Sequence, residues 1–263
     1  MPSGEPVPTA PTGWPTPGSW LAGKRILVTG ASRGLGRAFA LAFAEEGADV
    51  AINYSRDEEG AKATAAAVQA CGRQALVCRA SVADAPAVEG MVRTVLGAWD
   101  GIDVLVNNAG ISQPLPLALM DEEDWDRLMD VNLKGAFLCS RAVLRGMIRA
   151  RSGCVLNIGS LAGTRMLEAP VHYYTSKAGI KGMTEVVAKE VARYGIRVNC
   201  LAPGLLDEGV ARNLPEYRLD DYLKHCALGR IGTLGEVARF AVFLVSDRNS
   251  YMTGETIIID GGV

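Results

Sequence analysis

Residues 25–36 read RILVTGASRGLG, an apolar, β-branched run that opens into a turn carrying Gly30, Gly34 and Gly36. The run has the character of a buried strand, and the residues after the turn begin a helical pattern. A glycine turn at that junction lets backbone N–H groups approach a pyrophosphate at the positive end of a helix dipole. The spacing is GxxxGxG rather than the commoner GxGxxG. By itself the triplet fits a plain structural turn equally well. Its place at the head of a strand–helix series favours a dinucleotide, with Gly30, Ser32, Arg33, Gly34, Leu35 and Gly36 as the expected contacts.

Outward from this turn, short apolar runs alternate with longer helical patterns. Strands are expected at 25–30, 49–54, 75–80, 103–110, 154–160, 197–204 and 256–260, and helices at 35–46, 58–71, 85–98, 121–150, 173–193 and 235–246. Most of the strands are apolar throughout, as strands covered on both faces are. The pattern predicts α/β class: one doubly wound, Rossmann-type domain over residues 23–263, with a seven-stranded parallel sheet and helices on both faces. Residues 205–230 interrupt the alternation and read as a substrate loop or lid. Residues 1–22 hold six of the twelve prolines and read as a flexible extension that Trp14 and Trp20 could pin to a surface.

The 263 residues carry a net charge of −2 and are 49% apolar. That balance offers no broad field for nucleic acid or an anionic membrane, and no apolar run is long enough to span a bilayer. Six scattered cysteines and two histidines are poor material for a metal site, so none is expected. Free cysteines in apolar runs suit a reducing cytoplasm.

The second strand ends Ile52-Asn53-Tyr54-Ser55-Arg56, with no acid until Asp57. A carboxylate at this strand end would bind a ribose 2′-hydroxyl and repel a 2′-phosphate. Here Arg33 and Arg56 could flank a phosphate while Ser55 donates to it. NADP(H) is therefore the preferred cofactor and NAD(H) the alternative, with Tyr54, Ser55 and Arg56 bordering the adenosine ribose.

Tyr173 and Lys177 are four residues apart in HYYTSK, and Ser160 lies thirteen residues upstream in NIGSLAG. On a helix, residues at i and i+4 share a face. A lysine ammonium beside a tyrosine is expected to lower the phenol's pKa from about 10, which suits proton exchange with a substrate oxygen. His172 reads as a packing or cleft-wall residue, and His225 as part of the lid.

From Lys24 to Val263 the chain resembles the classical short-chain dehydrogenase/reductase family. The resemblance rests on TGASRGLG, NNAG (107–110), DVNLKGAF (130–137), NIGSLAG, YYTSK, IRVNCLAPG (196–204) and MTGETIIIDGG (252–262). It implies a catalytic tetrad of Asn132, Ser160, Tyr173 and Lys177: Tyr173 as proton donor, Ser160 orienting the carbonyl, Lys177 holding the nicotinamide ribose and acidifying Tyr173, and Asn132 holding a water. It further implies that Asn108, Ala109 and Gly110 line the adenosine side and that Pro203 and Gly204 pass beside the nicotinamide. Two positions depart from the family pattern. Ser81, followed by Val82, stands where members often carry Asp near the adenine, and Leu205-Leu206-Asp207-Glu208 lacks the usual Thr.

Within the family the chain is most similar to 3-oxoacyl-acyl-carrier-protein reductases and related ketoreductases. That similarity implies a small or carrier-bound ketone or alcohol substrate, acyl carrier protein as a partner, and a homotetramer built on the 121–150 and 173–193 helices. Arg145, Arg149, Arg151 and Arg193 are the expected basic surface near the cleft for an acidic carrier. The alternatives are a specialised ketoreductase of secondary metabolism, a polyol or sugar-type alcohol dehydrogenase and, in another class, a non-catalytic dinucleotide sensor.

Overall fold

The computed structural model describes residues 19–165, 169–208 and 216–263. Seven parallel strands form one sheet in the order β3-β2-β1-β4-β5-β6-β7. They are β1 Arg25–Val28, β2 Asp49–Tyr54, β3 Ala75–Arg79, β4 Val104–Asn107, β5 Gly153–Ile158, β6 Ile196–Pro203 and β7 Thr256–Ile259. Helices α1 Gly34–Glu45, α2 Glu58–Ala70 and α3 Ala85–Ala98 link the first four strands. Beyond β4 come α4 Glu122–Met129, a π-helical turn Asp130–Lys134 and α5 Gly135–Ala150, then α6 Val171–Val191, α7 Glu216–His225 and α8 Leu234–Val245. The expected sheet and its helices are all present. The single helix expected over 121–150 is interrupted by the π turn, and the segment at 205–230 contains α7.

Strand order reverses between β1 and β4, which pair as Ile26↔Val104, Leu27↔Leu105 and Val28↔Val106. In open α/β sheets the crevice at such a switch point, outside the carboxyl ends of the strands, is where ligands bind. The core fills both faces of the sheet. On one side α1 and α8 pack over β1, β2 and β4, with Phe39 and Phe43 stacked at 5.9 Å. On the other, α3 and α5 cover Leu27, Leu105 and Val155. Local chemistry fixes the helix starts. Asp57 accepts the Gly60 amide before α2, Asp84 accepts the Ala87 amide before α3, and Thr233 with Glu236 forms a capping box on α8.

Residues 1–18, including Trp14, lie outside the described residues. Trp20 lies under the Arg248 guanidinium, 4.7 Å from ring centre to carbon, and its amide donates to Glu46 Oε2 at 3.1 Å. This end of the extension is thus held on the chain's own surface.

Candidate active site

The turn after β1 is built by side chains from three strands. Thr29 Oγ1 donates to the Val106 carbonyl at 3.2 Å and accepts the amides of Asn108 and Ala109, each at 3.0 Å. Asn108 Nδ2 returns to the carbonyls of Thr29 (2.9 Å) and Gly30 (3.1 Å). Asn53 Oδ1 accepts the Gly30 amide at 3.2 Å, while its Nδ2 donates to the Ala80 carbonyl at 3.0 Å. A Cβ at Gly36 would run into the Gly30 carbonyl and come within 2.5 Å of Asn108 Nδ2, so only glycine lets α1 start this close to the β4 loop. Arg37 and Thr64 bind the Ser32 carbonyl from below, at 2.6 and 3.5 Å.

The first turn of α1 contains no acid, and Arg33 at its N-cap supplies no side-chain acceptor. The leading amides therefore keep their partial positive charge, which suits the pyrophosphate of a dinucleotide. Arg33, Ser55 and Arg56 are exposed beside this turn, and Tyr54 is buried at the end of β2. Of the acids that follow Arg56, Asp57 is engaged in capping α2, and Glu58 is held below the usual carboxylate range chiefly by its hydrogen bond to Lys62. The residues fit the pyrophosphate and adenosine end of a nicotinamide dinucleotide.

Other expected contacts take less direct positions. Ser81 and Val82 follow β3, but the Val82 side chain is buried against Gly135, where a Cβ would meet it at 2.7 Å. Leu35 packs on the core. Leu206 is 9% exposed and turns into the same core, so any contact it makes with a cofactor is through its backbone. Gly110 lies beside Asn132, and Pro203 ends β6 with Gly204 just beyond it.

Three segments carry the tetrad residues: α6, the loop after β5 and the π turn. Tyr173 and Lys177 share a face in the first two turns of α6. Ser160 follows β5 by two residues, and its loop is pressed onto α6 at Gly163, which has φ +96° and where a Cβ would come within 2.6 Å of the Ala178 nitrogen. Asn132 sits in the π turn between α4 and α5, a backbone irregularity often found at functional sites. Its Oδ1 accepts the Ile111 amide at 2.8 Å, and its Nδ2 donates to the Ile111 carbonyl (3.0 Å) and to Ser176 Oγ (3.2 Å). Ser176 in turn donates to the Tyr173 carbonyl at 2.8 Å. Ser176 thus joins Asn132 to the first turn of α6. Its only trace in the sequence is its place inside YYTSK.

Lys177 Nζ donates to the Ile158 carbonyl at 2.8 Å and lies 5.9 Å from the centre of the Tyr173 ring. Burial governs both groups. The Tyr173 phenol is pushed above its ordinary value by desolvation, with the hydrogen bond from Ser160 pulling the other way. Burial pulls Lys177 down to about 8, with the Cys200 sulfur opposing. Desolvation, not the lysine charge, is the largest influence on the Tyr173 phenol here. The lysine donates to a backbone carbonyl, and for Tyr173 desolvation outweighs the hydrogen bond from Ser160.

His172 is fully buried; its Nδ1 accepts the Tyr173 amide at 2.9 Å, and burial lowers its pKa. It packs, as expected. The expected basic surface is in the wrong place for this chain's own cleft. Arg193 follows α6 and lies 16 residues beyond Lys177, about 24 Å along the axis at roughly 1.5 Å per residue. Arg151 precedes β5, where it donates to the Arg193 carbonyl at 3.0 Å and covers Tyr194. With parallel strands the helix C-termini lie at the opposite end of the strands from the crevice, which is where the ends of α5 and α6 place Arg149, Arg151 and Arg193.

A family profile described as Enoyl-(Acyl carrier protein) reductase matches residues 30–263. A 3-oxoacyl-acyl-carrier-protein reductase, FabG, of Staphylococcus aureus is 40% identical over 240 residues, covering 91% of this chain and 98% of its own length. The chain belongs to the short-chain dehydrogenase/reductase family. A 3-oxoacyl-acyl-carrier-protein reductase of Synechocystis is 41% identical over 244 residues, 92% of this chain and 98% of that protein. Among solved structures, a gluconate 5-dehydrogenase from Burkholderia cenocepacia, in complex with NADP and tartrate, superposes with TM-score 0.87 at 35% identity, covering 92% of this chain and 95% of that one. As a short-chain dehydrogenase/reductase, the chain is an oxidoreductase acting on CH–OH groups and their carbonyl counterparts.

Proposed function

We propose that this short-chain dehydrogenase/reductase uses NADP(H) to reduce a ketone to a secondary alcohol, and that its substrate is a 3-oxoacyl group carried by acyl carrier protein. The observation that carries the reading is the meeting of Ser160, Tyr173 and Lys177 at the head of α6, beside the β1 turn. The names of the Staphylococcus and Synechocystis relatives support the substrate class. The NADP held by the Burkholderia dehydrogenase, together with exposed Arg33 and Arg56, supports the cofactor.

The bound nicotinamide would supply a hydride to the carbonyl carbon. Tyr173, a phenol that is protonated at neutral pH and that burial raises further, donates a hydrogen bond to the carbonyl oxygen and then its proton. Ser160 donates to the same oxygen and aligns it. Lys177, with a pKa of about 8, stays largely charged at neutral pH. It stabilises the tyrosinate left after proton transfer and serves as donor to the nicotinamide ribose hydroxyls. Asn132 fixes Ile111 and Ser176 and, in this reading, holds a water beside Lys177. Asn108, Ala109, Gly110, Pro203 and Gly204 form the cleft walls. In this reading the lid is the 205–230 segment, of which 209–215 lie outside the described residues, and the domain spans 23–263.

Phe137 on α5 and Val186 on α6 are 48% and 66% exposed, and β7 is an edge strand. Both features suit a homotetramer with those helices and that strand at its interfaces. Six free cysteines suit a cytoplasmic enzyme. Among the described residues no helix is long and apolar enough to cross a membrane.

The test is NADPH consumption with an acetoacetyl thioester, with and without Tyr173→Phe. The wild-type chain turns over, and the variant loses about 10²–10⁴-fold in kcat while still binding NADPH. A wild-type chain that binds NADPH tightly but reduces none of a panel of keto thioesters and small ketones would favour the sensor reading. The Burkholderia neighbour supports a second substrate class, hydroxy acids run in the oxidising direction. NADP⁺ reduction with gluconate separates it from the first.

A further inference from the structure

The segment after β6 is tied to Gly232 through the Leu205 carbonyl and the Asp207 amide, at 3.0 and 2.9 Å, and to α7 and the strip after β7 through the phenol of Tyr222. Tyr222 on α7 accepts the Leu205 amide at 3.1 Å and donates to the Asp260 carbonyl at 3.1 Å. One O–H and one lone pair of the hydroxyl are thereby used. A Cβ at Gly204 would run into this hydroxyl and come within 2.9 Å of Asp260 Cα, so the phenol is wedged against the turn that follows Pro203. The Gly204 amide donates to the Ile259 carbonyl at 2.8 Å, and the Leu228 amide to the Gly261 carbonyl at 3.0 Å. Cys226, one helical turn after Tyr222, is buried, with its sulfur 3.4 Å from the Gly261 carbonyl and 3.3 Å from that of Arg230. From the opposite side Arg165, in the loop after Ser160, reaches the nearly buried Asp260 carboxylate at 3.5 Å. The strip Asp260–Gly262 is thus gripped by both walls of the cleft, and Tyr222 is where that grip meets the Gly204 turn.

We propose that Tyr222 is a positioning residue whose hydroxyl sets the Gly204–Leu206 turn, the wall on the nicotinamide side, so that α7, the strip after β7 and that turn hold one register. The phenol suits a permanent tie, because burial raises its pKa and keeps it neutral across the working range. The consequence for cofactor placement rests on the NADP(H) reading above. The tie itself does not.

The experiment compares wild type, Tyr222→Phe and Cys226→Ala. Amide hydrogen exchange on the cofactor-free chain reads the tie directly. Phe removes the Leu205 amide's one acceptor among the described residues, and protection there falls by about tenfold, while Cys226→Ala leaves it in place. NADPH titration and steady-state kinetics then read the consequence. Tyr222→Phe raises the NADPH Kd several-fold and lowers kcat about tenfold, with the unfolding midpoint close to wild type. Unchanged Leu205 exchange in Tyr222→Phe, or equal loss in Cys226→Ala, overturns the tie. Lost protection with unchanged NADPH Kd and kcat overturns the positioning role. A wild-type chain that consumes no NADPH defeats the proposed function instead, and the exchange result still decides the tie.

Discussion

Replacing Lys177 with methionine should make the chain more stable at neutral pH while destroying its activity. The structure gives the size of the effect. Burial draws the ammonium's pKa from 10.5 down to about 8, which at about 1.4 kcal/mol per pH unit corresponds to roughly 3 kcal/mol of unfavourable burial. The unfolded chain keeps this proton up to about 10.4, whereas the folded chain releases it near 8. Between those values the unfolded state binds more protons, so stability rises with pH; below about 8 both states are charged and the penalty is present in full. Methionine keeps most of the stem's bulk and removes the charge. It also removes the 2.8 Å bond to the Ile158 carbonyl, a loss of about 1 kcal/mol. The net gain is about 2 kcal/mol at pH 7, or about 4–8 °C in Tm. Near pH 10.5 the gain disappears and the variant becomes the weaker by about 1 kcal/mol. Thermal unfolding of both cofactor-free chains from pH 7 to 10.5 checks this, with NADPH consumption expected to fall more than about a hundredfold. A Tm difference that ignores pH, or a variant less stable at pH 7, would refute the reasoning. The wild type keeps a buried charge at a cost in stability, as active sites commonly do.

Two further substitutions probe the cradle. Gly36→Ala places a methyl against the Gly30 carbonyl and Asn108; it should cost about 1–3 kcal/mol in denaturant unfolding and raise the NADPH Kd at least about tenfold, and an alanine variant that binds normally would contradict the geometry. Arg33→Ser and Arg56→Ser should each raise the KM for NADPH about tenfold while leaving that for NADH nearly unchanged; equal effects on both cofactors would remove the 2′-phosphate from the account.

Much of the site was legible because it depends on local periodicity. Tyr173 and Lys177 meet because residues four apart on any helix do, and α6 forms where its pattern runs. The turn at Gly30–Gly36 was readable because a strand must become a helix there without side chains in the way. The seven strands were readable because a doubly covered sheet demands apolar runs.

What escaped depends on which segments meet across the fold. Three arginines that lead up to Ser160 in sequence, and Arg193 just past the end of α6, belong to the opposite end of the strands from it, since each helix runs back against its strands. Ser176 and Tyr222 look like ordinary polar residues until Asn132 arrives beside one and the strip after β7 beside the other. The pairing of Tyr173 with Lys177 follows from sequence alone, but their protonation does not. Spacing alone suggests a lowered phenol, whereas burial, decided only when β5, β6 and α6 close around them, raises the tyrosine and lowers the lysine. Sequence by itself determined which groups could meet, because helix and strand repeats are properties of the backbone. Tertiary structure decided their charge, because desolvation belongs to the surroundings and not to the residue.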